Sequence, residues 1–213
     1  MSRCLLCLAL LLIPSLAPAQ DWLTWGADPE RTGWAKGETT LSKDNVSRLQ
    51  LKWTAQLDTA PNEVVLSTLT APVVVENVRT GQGPKDLVFV VGAKDAVYAL
   101  DAGTGQVVWQ KTFPNHLPPK VPADWLCPNT QNATPVIDKQ SGILYVLTSD
   151  GKLRGLSVVN GEDRLPPTDF APPHSRNWSL NLIDGVIYTS IARGCGGAMA
   201  NFAAMDVKDP ARP

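Results

Sequence analysis

Few side chains in this sequence are equipped for chemistry. Two cysteines, Cys127 and Cys195, follow the apolar N-terminus. In an oxidising compartment such a pair can form a disulfide; the other reading is two small buried hydrophobes with free thiols. The two histidines, His116 and His174, lie in proline-rich stretches at 114–131 and 165–177. Neither has a second ligand at metal spacing, so no metal site is expected and each is read as facing solvent. Both stretches read as long links on a rigid scaffold, where binding residues often sit. Arg176, Trp178 and Arg193 are the candidate cofactor contacts there, on a loop face that is also expected to take a small-molecule or protein ligand. No Cys-x-x-Cys-His haem attachment motif, nucleophile elbow or phosphate loop occurs, so no haem is expected in this segment and no catalytic residue is assigned.

The first 19 residues read as a secretory signal. Arg3 supplies the positive charge, residues 5–12 the apolar run, and Ala17-Pro18-Ala19 the cleavage site, so the mature chain is expected to begin at Gln20 in the periplasm or outside the cell. The apolar run is too short to span a bilayer, and no later stretch is long enough. Cys4 and Cys7 leave with the leader. A net charge of −1 gives no electrostatic case for nucleic acid.

The residues that could bind must be positioned by a repeat. A shift of 56 residues carries Trp53 onto Trp109 (109 − 53 = 56) and Val88-Phe89-Val90 onto Leu144-Tyr145-Val146. Within the first copy, residues 69–76, 87–91, 96–100 and 107–113 are apolar and β-branched, separated by tight turn signals. The second copy supplies 134–137, 143–147, 153–158 and a weak fourth run after Asn160-Gly161. A third begins with Val186-Ile187-Tyr188 and continues with Ala204-Met205-Asp206. A short helical turn is expected near 42–48. Four-stranded antiparallel units at this period predict an all-β propeller, and a sandwich would not repeat its turns and tryptophan at one spacing. Trp53 and Trp109 are read as structural, filling gaps between blades.

The predicted organisation is a leader at 1–19, a lead-in segment with a ring-closing outer strand at 20–66, and an incomplete propeller at 67–213. Its blades are placed at about 67–113, 132–166 and 178–213. The Trp53 segment matches a fourth strand with no first three before it, and the third blade lacks its outer strand. The expected partners are therefore further blades beyond residue 213. In such a meander Cys127, between blades one and two, and Cys195, between strands two and three of blade three, fall at the same end. A cross-blade disulfide between them is one expectation; free thiols are the other.

Val97-Tyr98-Ala99-Leu100-Asp101-Ala102-Gly103-Thr104-Gly105-Gln106-Val107-Val108-Trp109 resembles the blade motif of the pyrroloquinoline quinone (PQQ) repeat family. Asp21-Trp22-Leu23-Thr24-Trp25-Gly26 with Leu41-Ser42-Lys43-Asp44-Asn45-Val46 resembles the N-terminus of the quinoprotein alcohol dehydrogenases. The resemblance implies an eight-bladed propeller with the quinone on its axis beside calcium, oxidising alcohols or aldose sugars. It also implies an adjacent cysteine pair after the first full blade, where Trp125-Leu126-Cys127-Pro128-Asn129 has one cysteine. A calcium-ligating glutamate is implied 11 residues before Asp206, at the position of Cys195 (206 − 11 = 195). Thiols suit calcium poorly. Two functions follow: a PQQ-dependent dehydrogenase whose other ligands and base come from later blades, or a non-catalytic binding or envelope-assembly scaffold on the same repeat.

Overall fold

A computed structural model describes residues 20–58, 69–130 and 133–209. The expected leader at 1–19, the end of the lead-in at 59–66 and the ends of some predicted blades lie outside the described residues. Among the described residues eleven strands form three antiparallel sheets, each ordered as the chain runs. The first holds β1 (Val73–Thr80), β2 (Gly83–Gly92), β3 (Ala96–Asp101) and β4 (Val107–Thr112). The second holds β5 (Val136–Asp138), β6 (Ile143–Leu147), β7 (Lys152–Ser157) and β8 (Asp163–Asp169). The third holds β9 (Asn181–Ile183), β10 (Val186–Ile191) and β11 (Asn201–Asp206). This is the incomplete propeller that the repeat predicts, and the short turn expected near 42–48 is the 3-10 helix Val46–Arg48.

Side-chain alternation explains why runs of continuous apolar sequence become strands. Leu87, Phe89 and Val91 of β2 point into the core shared with the second sheet, while Val88 and Val90 pack on the opposite face with Tyr98 and Leu100. In β6, Leu144 and Val146 join that first core, whereas Tyr145 and Leu147 join a second core with Leu180, Ile187 and Met205. The middle sheet is thus covered on both faces, and its central strand β6 has no polar side to show. Neighbouring sheets meet through their first strands, β1 with β5 and β5 with β9.

The recurring tryptophan is explained by the same geometry. Trp53 donates its Nε1–H to the Ala102 carbonyl at 2.9 Å, and Trp109 donates to the Val158 carbonyl at 3.0 Å, both across 49 residues. Each indole covers a turn glycine: a Cβ on Gly105 would lie 2.5 Å from the Trp53 ring, and one on Gly161 2.8 Å from the Trp109 ring. The spacing is legible because each blade's turn must leave room for the preceding indole.

Residues 51–58 around Trp53 carry no strand among the described residues, and Trp53 docks by its ring; the partners expected for a ring-closing strand there are blades beyond residue 213. One expectation is corrected here. The stretch from 165, read as a link, begins instead inside β8, with Pro166 and Pro167 in the strand. β8 is the outermost strand of its sheet, where a missing N–H need not break a ladder, and its register slips twice against β7.

The lead-in crosses all three sheets at their inner edge. Trp22 and Val74 of β1 exchange two backbone hydrogen bonds of 2.8 Å, the Leu23 carbonyl accepts from Ile137 N–H of β5 at 2.8 Å, and the Thr24 hydroxyl donates to the Leu180 carbonyl at 2.8 Å. Lys139 binds Asp21 at 2.6 Å and Glu76 at 3.4 Å, tying the first two sheets beside this crossing.

Gly161→Ala is expected to destabilise the protein by roughly 2–4 kcal/mol, combining a left-handed backbone with a clash against Trp109. Gly142→Ala, with φ of 68° but only Val158 at 3.9 Å, should cost about 1–2 kcal/mol. Urea unfolding of both variants checks this, and equal losses would remove the indole from the explanation.

Candidate functional site

Strand direction alternates, so the β2–β3, β6–β7 and β10–β11 turns and the links between sheets share one end of the molecule. Two clefts open there. The inner one, of about 430 Å³, is lined by residues that precede the first strand of each sheet: Leu69 to Ala71, Thr134, and Trp178 with Ser179. The lead-in contributes Trp25 and Arg31. Both tryptophans are half exposed and each carries a guanidinium: Arg31 lies 5.7 Å from the Trp25 ring centre and Arg176 5.4 Å from that of Trp178. Arg31 is fixed by donating to the Ser179 carbonyl at 3.0 Å, and Arg176 by donating to the Leu126 carbonyl at 3.0 Å. Flat aromatic walls backed by cations suit a planar, anionic ligand.

Of the residues singled out in the sequence, Trp178 lines this cleft and Arg176 reaches it through Trp178. Arg193 is exposed after β10 and lines neither cleft. His116 is exposed. Cys127, in the link from β4 to β5, and Cys195, in the β10–β11 turn, are joined as a disulfide with Cα atoms 5.1 Å apart. Trp25, read in the sequence only as part of the N-terminal motif, and Arg31 carry no mark as cleft residues, because nothing in the lead-in's spacing shows that it crosses the inner edge.

His174 departs from its expected solvent-facing position: it is 8% exposed. Its backbone is held left-handed (φ 58°) by a 2.7 Å bond from its N–H to the Ser149 carbonyl, which turns the ring under the link. Nε2 lies 2.8 Å from the Leu117 carbonyl and 3.3 Å from Asn115 Nδ2. Asn115 Nδ2 also donates to Ser149 Oγ at 3.0 Å, and the Ser149 hydroxyl donates to Asp95. Serine here is bound to the carboxylate and separated from histidine by an amide, so the trio is not wired as a nucleophilic triad.

Asp95 is 1% exposed, and burial pushes its carboxyl up to about 6, against the opposing hydrogen bonds from Ser149. A folded-state value above the unfolded one means that Asp95 contributes stability below about pH 4, and this is lost as pH rises through about 6. The loss is on the order of 2–3 kcal/mol. The melting-temperature advantage of wild type over Asp95→Asn should therefore shrink between pH 4 and pH 7; parallel curves across that window would refute the linkage.

Comparison with known proteins fits this geometry. Residues 22–166 match the PQQ family described as glucose/ethanol/alcohol dehydrogenase, β-propeller domain. The chain is 28% identical over 180 residues to the quinohemoprotein alcohol dehydrogenase ADH-IIG of Pseudomonas putida, covering 84% of this chain and 22% of that protein. Among solved structures, a quinohemoprotein alcohol dehydrogenase of Pseudomonas putida HK5 superposes with a TM-score of 0.60 at 18% identity, over 88% of this chain and 25% of that one. The quinohemoprotein alcohol dehydrogenase of Comamonas testosteroni gives 0.58 at 18% identity, over 89% and 26%. A europium-containing methanol dehydrogenase gives 0.60 at 18% identity, over 90% and 31%. These structural likenesses show the fold, and the chain spans only 22% to 31% of the length of these relatives. With the family match covering most of its length and three stacked propeller sheets beneath it, the chain belongs to the PQQ dehydrogenase β-propeller family.

Proposed function

We propose that the chain is the N-terminal part of an exported, PQQ-dependent dehydrogenase of alcohols or sugars, and that the inner cleft is one wall of its quinone site. The observation that carries this reading is the pairing of Trp25 with Arg31 and Trp178 with Arg176 where all three first strands converge. PQQ is a planar quinone bearing carboxylates, so the exposed indole of Trp178 fits its face and the guanidiniums fit its charge. Bound there, it would supply the two-electron acceptor for substrate oxidation. Trp178 would stack and orient it, Arg31 and Arg176 would offset its carboxylates, and Trp25 would exclude water from one side.

Calcium does not fit the residues of this segment. The position that the resemblance gives to a glutamate is Cys195, whose sulfur is bonded to Cys127. Among the described residues no group of three His, Cys, Asp or Glu could hold a metal ion. Any calcium ligands and the general base are proposed to come from blades beyond residue 213.

The missing neighbour cysteine of Cys127 and the cysteine in place of glutamate at 195 favour a second reading, a non-catalytic propeller serving as a binding or envelope-assembly scaffold. Calorimetric titration of the full-length protein with PQQ and calcium separates the two. Saturable binding, weakened about tenfold in Trp178→Ala, is expected for the dehydrogenase. Absence of binding, restored in Cys127→Ser/Cys195→Glu, would overturn it for the scaffold.

A further inference from the structure

The second cleft, of about 420 Å³, lies under the link from β4 to β5, beside the β2–β3 and β6–β7 turns rather than at the inner edge. Its polar lining includes buried acceptors for which the protein supplies no donor. Asp95 is buried and receives only the Ser149 N–H and O–H, and no Lys, Arg or His makes an ion pair with it among the described residues. Arg154 acts on Asp95 through its charge but is itself paired with Asp150 at 2.7 Å. His174, more than nine-tenths buried, uses Nε2 toward the Leu117 carbonyl, and its Nδ1 has no partner. The buried Oδ1 of Asn129 likewise has none, while its Nδ2 donates to the Val121 carbonyl at 3.0 Å.

Buried acceptors without donors, beside a carboxylate without a direct ion pair, are costly unless a ligand completes them. Pro114, Leu117, Pro119 and Pro128 supply apolar wall on the same cleft. We propose that this cleft binds a small alkylammonium, its N–H groups donating to Asp95, His174 and Asn129 and its alkyl part lying against the prolines. A primary ammonium offers three donors and one positive charge, matching three acceptors and one negative charge. One carboxylate among neutral acceptors is too few hard ligands for a divalent metal.

Calorimetry on the full-length protein tests this with n-butylammonium chloride as probe and tetramethylammonium and sodium chloride as comparisons. Saturable binding of n-butylammonium, with none of tetramethylammonium, is expected, because the latter has charge but no N–H. Asp95→Asn should weaken binding roughly thirtyfold, with its circular dichroism unchanged. Lys94 is exposed on the rim with φ of 63°, a backbone that asparagine tolerates, so Lys94→Asn should fold and tighten binding about two- to threefold. No saturable n-butylammonium binding would overturn the proposal, since water then fills the cleft. Equal binding by tetramethylammonium or by Asp95→Asn, or displacement by equimolar sodium, would overturn it too.

Discussion

Three consecutive residues each bond to a different sheet, and the arrangement of this molecule follows from that crossing. Trp22 binds β1, Leu23 binds β5, and Thr24 reaches the approach to β9. The first strand of each sheet would otherwise present a bare edge of N–H and C=O groups. β5 and β9 are three residues long and hold little register alone. A segment running across them both satisfies the backbone and sets the spacing between sheets. Trp25 follows Thr24 directly, and Arg31 folds back to the Ser179 carbonyl, so the inner cleft takes its shape from the same crossing.

How much of this was legible in the sequence differs from part to part. The blades could be read because β3 and β7, both six residues long, lie one repeat apart and because each indole needs a glycine to rest on. β8 was hidden by its own prolines, which signal a loop unless the strand is known to be outermost. The Trp53 segment shares the motif of an outer strand, and its indole rests on Gly105 as that of Trp109 rests on Gly161. At the loop end, Asp95 stands in a turn, where aspartate is the ordinary choice; only the roof supplied by the link makes it a buried acid. Trp178 and Arg176 were nameable because they are large polar or aromatic residues on a link, whereas Ser149 and Asn115 carry no such mark.

The link from β4 to β5 serves both clefts. Its Leu126 carbonyl anchors Arg176 behind Trp178, and its Pro128 and Asn129 line the outer cleft. A single proline-rich segment thus shapes an aromatic, cationic site toward the inner edge and an acceptor-rich one away from it. The two sites have opposite electrostatic character across that segment, and an anion suited to one is unsuited to the other.

The bond between Cys127 and Cys195 joins residues 68 positions apart and closes a covalent ring around the whole second sheet. Closing a ring of that size removes about 4 kcal/mol of chain entropy from the unfolded state. It also changes what a cut does. A nick anywhere between these cysteines, including the turns of the middle blade, leaves both pieces attached and their inner strands in place. A nick outside the ring, such as one after the lead-in crossing, releases a free end. The middle blade, with β9 and β10, is therefore the part of this chain that stays covalently tied after such a cut, and the lead-in, which spaces all three sheets, has no disulfide among the described residues.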